Sequence, residues 1–320
     1  MRFLAAAVTV TTLAACASQG EPPASAAASV GSSTAGTRAA SPRSSSTPTP
    51  IPSAEPAQLP RGGREVFPQY RLFGYAGSPG APALGRLGVG DLDARVRELE
   101  RRGTAFADGR ALLPVLELVA VIADPFPGNA GSYSRQVGDA TIKRYLAAAR
   151  RHKALLLLNI QPGRLRFIDV AKRLEPWLRQ PDVGLALDPE WAVKRGQVPG
   201  RIYGSTTGAE LDGVARFLDG IVRRYDLPQK VMVFHQVAAS VVRHQSAVKQ
   251  RDGVVVIKSV DGIGSRAAKT TTWRTLVKAL PDSIHPGFKL FLHEDAEHGT
   301  VMTPSQVLAL KPAPEYVLFE

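Results

Sequence analysis

The sequence has a single cysteine, Cys16, among its 320 residues. It therefore excludes an intramolecular disulfide framework and any metal site built from several cysteines. Acidic residues are also few, because 28 Asp and Glu face 40 Lys and Arg and leave a formal net charge of +12. This balance favours anionic surroundings such as phospholipid, wall polymers or nucleic acid, without choosing among them. With 44% hydrophobic and 21% charged side chains, the composition is that of a globular protein and excludes wholesale disorder, collagen and coiled coil.

The N-terminus has no apolar run long enough to cross a bilayer, which takes about 20 residues. Arg2 precedes an apolar segment of residues 3–13, and this segment ends in Leu13-Ala14-Ala15-Cys16. That ending resembles the lipobox of bacterial lipoproteins, whose cysteine is acylated and becomes the new N-terminus after cleavage. The resemblance implies that residues 1–16 are a signal peptide and that Cys16 anchors the mature chain to the extracellular face of the cytoplasmic membrane. An ordinary free thiol behind an apolar N-terminus is the alternative.

Residues 17–63 have almost no large apolar side chains and consist mainly of Ala, Ser, Thr, Pro and Gly. Such a segment cannot bury enough surface to offset the entropy lost on ordering, so we predict a disordered linker. The charges of this segment balance up to Pro60, and the positive excess lies on the residues from Arg61 onward. The sequence thus predicts a signal peptide at 1–16, a linker at 17–63 and a folded domain at 64–320.

Beyond the linker, β-branched and leucine-rich runs alternate with amphipathic, Ala/Arg-rich stretches of helical period. Eight strands are predicted, at Arg71–Ala76, Pro114–Ile122, Ala154–Ile160, Val183–Asp188, Lys230–Gln236, Val254–Ser259, Phe288–His293 and Tyr316–Phe319. Helices are predicted at Asp91–Arg102, Thr141–His152, Leu165–Arg179, Ala209–Tyr225 and Ala267–Leu280, with a short one near Pro304 and another in the connection after Gln236.

Eight βα units of this size and order predict an α/β protein with a (β/α)8 TIM-type barrel. A doubly wound sheet is the less favoured alternative, because it usually has fewer strands and a phosphate-binding glycine loop. No Gly-x-Gly-x-x-Gly follows the first strand, since Gly85, Gly88 and Gly90 have a different spacing. We therefore expect no nucleotide cofactor.

In such a barrel the reactive groups stand at the carboxyl ends of the strands and in the loops that follow. The residues at the carboxyl ends of the predicted strands are polar. Within strand two there is one acidic residue, Glu117. We assign hydrogen bonding to a sugar to six of these residues and stacking on a sugar ring to Trp191. The six are Asn159, Gln161, His235, Gln236, Asp261 and Lys289. The alternative has Trp191 packing under a loop and His235 as a buried, satisfied imidazole.

Asp188 and Glu190 are the strongest candidates for a catalytic pair, because residues two apart on a strand face the same side. Two neighbouring carboxyls disfavour double ionisation, so one would stay protonated as a general acid while the other remains an anion. Glycoside cleavage by acid–base catalysis needs this arrangement. In the alternative interpretation the two carboxylates bind backbone groups or Lys258 and Lys289 in a purely structural network.

Asp188-x-Glu190 at the end of strand four resembles the Asp-x-Glu of glycoside hydrolase family 18 chitinases and family 25 muramidases. The resemblance implies that Glu190 is the proton donor and that Asp188 assists the substrate or its intermediate. The longer chitinase pattern Asp-x-x-Asp-x-Asp-x-Glu departs here, because Val183 and Ala186 occupy its first two acidic positions.

A second resemblance covers most of the domain and connects it with a family of actinobacterial secreted lipoproteins. It rests on four strings, which are Asn159-Ile160-Gln161-Pro162-Gly163-Arg164, Leu185-Ala186-Leu187-Asp188-Pro189-Glu190-Trp191, Phe234-His235-Gln236 and Gly287-Phe288-Lys289-Leu290-Phe291. The resemblance implies a role at the cell envelope and supplies no reaction.

Other kinds of site are disfavoured. His293 and His298 are five residues apart rather than the four of His-Glu-x-x-His, so an exposed acidic loop is expected between them and no metal site. No serine sits in a Gly-x-Ser-x-Gly elbow, and the export signal disfavours nucleic-acid binding. Two hypotheses remain, a cell-envelope glycosidase that cleaves a wall or extracellular polysaccharide, and a non-catalytic lipoprotein that binds a glycan or a partner at the same mouth.

Overall fold

The computed structural model describes residues 55–320. The predicted signal peptide, Cys16 and the linker up to residue 54 lie outside the described residues. Residues Pro56–Glu320 form one compact unit. The segment 56–63, which the sequence assigns to the linker, belongs to this unit, because Leu59 is buried in its core and Arg61 donates hydrogen bonds to Leu112 O and Lys153 O.

Eight strands form a closed parallel barrel. They are β1 Tyr70–Gly77, β2 Ala111–Ala123, β3 Leu155–Ile160, β4 Val183–Leu187, β5 Lys230–Gln236, β6 Val254–Val260, β7 His285–Leu290 and β8 Tyr316–Phe319. Each strand pairs in parallel with the next, and β8 pairs with β1 to close the ring. The predicted TIM-type α/β fold is confirmed. A short strand, Ser134–Gln136, adds antiparallel to the end of β2.

Helices surround this ring. They are α1 Leu92–Gly103, α2 Asp139–Arg151, α3 Phe167–Arg173, α4 Glu175–Leu178, α5 Gly208–Tyr225, α6 Arg266–Val277, α7 Glu294–Glu297 and α8 Pro304–Leu308. Side-chain caps fix four of their starts, since Asp91 accepts from Ala94 N, Thr207 from Glu210 N, Ser265 from Ala268 N and Thr303 from Gln306 N. None of the helices within residues 55–320 is both long enough and apolar enough to cross a membrane.

Two helix predictions were wrong. The helix predicted over Leu165–Arg179 is two helices, α3 and α4, because Pro176 cannot continue the first one and instead starts the second. The connection after Gln236 is not an α-helix. It contains a 3₁₀ turn, Gln245–Ala247, and a two-residue strand, Val242–Arg243, that pairs with Thr206–Thr207. The β-branched Val241 and Val242 are buried there and favour the extended backbone.

Alternation along the strands separates two apolar cores. The larger core lies between the strands and the helices, and the smaller one fills the lumen with residues such as Leu113, Leu155, Val231 and Val255. Because both faces of each strand are covered, β3 begins with four consecutive leucines. Leu59 and Val66, which precede β1, join the lumen core and cover the amino-terminal end of the barrel. The polar residues of the lumen therefore lie toward the carboxyl ends of the strands.

Candidate active site

The upper lumen is polar where the lower lumen is apolar. Continuing the alternation of the apolar lumen residues by two positions puts Glu117 on β2, Asn159 on β3 and His235 on β5 on the lumen face as well. All three side chains are buried, with at most 2% of their surface exposed. Buried polar groups of this kind need partners, and the partners found define the site.

Glu117 is the hub of the polar layer. Its Oε1 accepts from Asn159 Nδ2 at 2.9 Å and lies 2.8 Å from His235 Nε2, while its Oε2 accepts from Tyr316 Oη at 2.9 Å. Burial raises the pKa of Glu117, but the attraction of His235 and these hydrogen bonds outweigh it and hold the pKa below its ordinary value. Glu117 is therefore an anion, held by three donors.

His235 is the cation that matches this anion. Burial lowers the pKa of His235, but Glu117 and Asp188 outweigh it and raise the pKa to about 9. Its Nε2 also lies 3.9 Å from Asp188 Oδ1, and its Nδ1 lies 3.7 Å from Asp261 Oδ2. The alternative of a buried, satisfied imidazole agrees with the full burial of His235 and its contact with Glu117, although its Nδ1 has no hydrogen-bond partner.

Asp188 follows β4 and is held by two amides. Asn159 Nδ2 donates to its Oδ1 at 3.0 Å, and Gln161 Nε2 donates to its Oδ2 at 3.1 Å. Gln161 is itself fixed, because its Oε1 accepts from Ala123 N at 3.1 Å. Burial raises the pKa of Asp188 above its ordinary value, although His235 and Lys289 oppose the rise. The amide donors favour the carboxylate form of Asp188.

Glu190 does not stand on the strand as predicted. Strand β4 ends at Leu187, and Pro189–Trp191 form a 3₁₀ turn, because Pro189 has no N–H for the sheet and starts the turn instead. The Glu190 carboxyl is nevertheless close enough to Asp188, Asp261 and His235 for their charges to shift its pKa.

The environment of Glu190 differs from that of Asp188. Burial, together with repulsion from Asp188 and Asp261, raises the pKa of Glu190 well above its ordinary value. Its Oε2 is buried and has no hydrogen-bond partner. The residue as a whole is only half-buried. The pKa of Glu190 is thus raised, and the residue keeps part of its surface exposed.

The opposite wall of the mouth is an ion-pair group on β6, β7 and the end of the chain. Lys289 Nζ lies 3.1 Å from Asp261 Oδ2 and 2.6 Å from Glu320 Oε2. Burial lowers the pKa of Lys289, but Asp261 and Glu320 outweigh it and raise the pKa well above its ordinary value. Burial raises the pKa of Glu320 to about 7, although the attraction of Lys289 opposes the rise. Lys289 is therefore a permanent cation of the mouth.

Several buried polar atoms of the mouth have no protein partner. They include Asn159 Oδ1, Glu190 Oε2, His235 Nδ1 and Ser259 Oγ. The Asn159 orientation is set by its surroundings, because both acidic neighbours accept from its Nδ2 and the oxygen must point elsewhere. Ser259 stands beside His235 in the register of β5 and β6. These atoms offer acceptors and donors to a hydroxyl-rich ligand.

Three residues of the sequence-based analysis lie outside this network. Gln236 follows His235 on β5 and donates to Ala238 O, so its side chain does not join the lumen group. Trp191 is half-buried in the turn, close to Gly200. Lys258 donates to Leu276 O, and Lys289 pairs with Asp261 and Glu320. Neither lysine is hydrogen-bonded to Asp188 or Glu190, although the structural alternative expected such bonds.

The acidic segment after β7 is a short helix rather than a loop, and residues 293 and 296–298 are exposed as expected while Asp295 is buried. His293 lies beyond the end of β7 at Leu290, because residues 294–297 turn into α7. Asp295 is 1% exposed and pairs with Lys269 at 2.9 Å while it accepts from Phe291 N and Gly264 N. Among residues 55–320 no group of His, Cys, Asp and Glu has the arrangement of a metal site.

Sequence reasoning named Glu117 without giving it a role, and it missed Tyr316, Ser259 and Glu320. A lone acid inside an apolar strand was a usable signal for Glu117, because a buried carboxylate requires partners. Tyr316 begins its strand at the bottom of the barrel and reaches Glu117 only through its length. Nothing in the sequence pattern indicates that reach.

Comparison of the chain with protein-family models and with curated proteins finds no match. The fold and the geometry of the mouth are therefore the basis of the functional proposal.

Proposed function

We propose that the barrel mouth cleaves glycosidic bonds, with Glu190 as general acid and Asp188 as the anionic partner. The carrying observation is the contrast between the two carboxyls. Asp188 receives two amide hydrogen bonds, whereas Glu190 Oε2 is buried without a partner and the pKa of Glu190 lies well above its ordinary value. Two carboxyls whose environments separate their pKa values are what glycoside hydrolysis requires.

In this proposal the glycosidic C–O bond breaks as Glu190 gives its proton to the departing oxygen. The bonding pair goes to that oxygen, and positive charge develops at the sugar ring carbon and ring oxygen. Asp188 stabilises this charge. Water then adds to the ring carbon, and the proton it releases returns to the Glu190 carboxylate, so the enzyme is regenerated.

The remaining groups position the two carboxyls and the sugar. Asn159 and Gln161 fix the Asp188 carboxylate, and Glu117 orients both Asn159 and His235. In the proposal, sugar hydroxyls bind to the Lys289–Asp261 pair and to the unpartnered, buried atoms of Ser259 and His235. Glu117 is thus a positioning residue, and Asp188 and Glu190 are the catalytic residues of the proposal.

The test is product formation by residues 56–320 on peptidoglycan and on a panel of wall and capsular polysaccharides, scored as released reducing ends. Native protein is expected to release products that Glu190→Gln and Asp188→Asn do not, while both variants still bind the polymer. Glu175→Gln, on α4 away from the mouth, is the matched control. Retention of the native protein on a polymer without any product would contradict catalysis and favour the non-catalytic binding protein.

On the sequence alone, we further propose that Cys16 is lipidated and holds the domain on the extracellular face of the cytoplasmic membrane, near wall polymers. A full chain with Cys16→Ala is expected to lose the acyl mass from its mature N-terminus and to leave the membrane fraction. Unchanged acylation in that variant would contradict the proposal.

A further inference from the structure

Most exposed apolar side chains of the domain lie at one end of the barrel. Among the described residues, the large hydrophobic side chains with substantial exposure are Val89, Phe126, Ile202, Tyr203, Tyr225 and Ile263. All except Tyr225 belong to loops that follow the carboxyl ends of barrel strands. An apolar group concentrated on one face marks an interaction surface more strongly than the same residues scattered singly.

Three neighbouring loops carry the densest part of this face, and we call them the basic rim: residues 124–138 after β2, 161–166 after β3 and 188–205 after β4. Phe126 is 73% exposed and Ile202 is 40% exposed in these loops. The exposed cations of the rim are Arg135, Arg166, Lys194, Arg195 and Arg201. Its acids are Asp124, Asp188 and Glu190, none of which is fully exposed, and Asp124 lies 3.9 Å from Arg135.

The three loops form a connected surface. Arg164 joins them, because its guanidinium lies 3.8 Å from the centre of the Tyr133 ring and its Nη2 donates to Gln197 O at 2.7 Å. Gly163 has φ +62°, and a Cβ there would meet the carbonyl oxygens of Ser132 and Tyr133 at 2.4 Å. The loops are thus packed backbone to backbone, and the exposed side chains are held on a fixed support.

We propose that the basic rim docks on an anionic lipid bilayer. Phospholipid headgroups attract Lys and Arg near the surface by about 1 kcal/mol each, and aliphatic and aromatic side chains insert at the boundary between headgroups and acyl chains. A purely anionic polymer would match the charges but not the apolar Phe126 and Ile202. A neutral glycan would match an aromatic face but neither the aliphatic side chain nor the five cations.

The test uses residues 56–320, which contain the closed barrel and its cores, in flotation with vesicles of phosphatidylcholine alone or mixed with phosphatidylglycerol. Binding is expected only to the mixed vesicles, and added salt weakens it. The combined variant Lys194→Gln, Arg195→Gln, Arg201→Gln is expected to lower the partition coefficient at least about tenfold. The matched control neutralises three exposed cations of α2 and α3, namely Lys143, Lys172 and Arg173, and leaves binding unchanged.

A second variant pair separates lipid from polymer. Phe126→Ser with Ile202→Ser is expected to weaken vesicle binding at low salt, and Tyr225→Ser, on the helix end away from the rim, is not. Absence of binding to the mixed vesicles overturns the proposal. An equal loss of binding in the control variants also overturns it. Binding to lipid-free polyglycerol phosphate that is as tight as binding to vesicles, and that the two serine substitutions do not weaken, would assign the rim to a soluble polyanion instead.

Discussion

His235 Nε2 lies 2.8 Å from Glu117 Oε1, and neither side chain is exposed. This buried ion pair joins β5 to β2 across the lumen and ties the proposed catalytic pair to the barrel wall. Asn159, which orients Asp188, donates to the same Glu117 oxygen. A change in the charge of either partner therefore alters both the stability of the barrel and the position of Asp188.

The pair predicts a defined pH dependence. The pKa of His235 rises from its ordinary 6.5 to about 9 in the folded chain, so its contribution to stability is fully present below pH 6.5 and is lost as the pH rises through about 9. We expect the His235 ring to titrate near that value in an NMR titration and the free energy of unfolding to fall over the same window. Titration of His235 near 6.5 would contradict the buried imidazolium.

Removal of the Glu117 carboxylate should lower the free energy of unfolding. Glu117→Gln leaves the His235 cation buried without its counter-charge, and we expect a loss of about 3–5 kcal/mol in the free energy of unfolding. The pKa of His235 should fall in the same variant, because its strongest attraction is gone. Chemical denaturation and the NMR titration measure the two effects. Unchanged stability with an unchanged His235 titration would show that the two groups do not interact.

Gly74 leaves room for the hydroxyl that holds Glu117. A Cβ at Gly74 would meet Tyr316 Oη at 2.8 Å, with further contacts to Val115 O at 3.0 Å and a Leu318 methyl at 3.1 Å. Gly74→Ala is expected to destabilise by about 1–3 kcal/mol, and Tyr316→Phe by about 1.5–3 kcal/mol because a bond to a carboxylate is lost. The double variant should cost less than the sum, since the hydroxyl causes the clash. Strict additivity in denaturation measurements would contradict this contact.

The Lys269–Asp295 pair tests the structural interpretation of the acidic segment. Both side chains are at most 3% exposed, so Asp295→Ala leaves a buried ammonium unpaired and is expected to cost about 3–5 kcal/mol. The control is the surface pair Glu175–Arg179, where Glu175→Ala should cost at most about 1 kcal/mol. Thermal unfolding compares them. Equal small losses would mean that Asp295 is not fixed as the structure shows.

The general-acid role of Glu190 predicts a dependence on the leaving group. Glu190→Gln should lose most of its activity on natural glycosides, whose departing oxygen needs a proton, and keep much more on a dinitrophenyl glycoside, whose leaving group departs without one. Asp188→Asn should lose activity on both, because it stabilises the charge on the sugar. Steady-state kcat for the two substrate types measures this. Equal losses of Glu190→Gln on both substrates would assign Glu190 another role.

The fold could be predicted from the sequence because each strand is buried on both faces and each helix is amphipathic. Continuous apolar runs such as Leu155–Leu158 and Lys230–Gln236 predicted where the barrel strands lie and in which order they follow. The helix predictions were wrong where the backbone preference of individual residues opposed the periodic pattern of the surrounding sequence. Pro176 divides a helix, and Val241 and Val242 prefer extended backbone where a crossover helix was expected.

The sequence predicted those residues of the site that lie at the carboxyl ends of strands. Asn159, Asp188, His235, Asp261 and Lys289 meet in the mouth because parallel strands end at one edge. The turn at Pro189 moves Glu190 off the strand, and only the structure shows that its carboxyl still lies within electrostatic reach of Asp188, Asp261 and His235. Tyr316 could not be predicted, because its contribution depends on side-chain reach across the barrel.

The central claim is that Glu190 keeps its proton near neutral pH while Asp188 does not hold one as strongly. Infrared difference spectroscopy on the native domain and on Glu190→Gln measures this directly, through the carbonyl stretch of a protonated carboxyl. In a Glu320→Gln background, which removes the carboxyl whose pKa is about 7, we predict a band at neutral pH that Glu190→Gln abolishes and that the matched variant Glu175→Gln retains. A spectrum of the Glu320→Gln background that lacks the band, or a band that Glu190→Gln retains, would contradict the account.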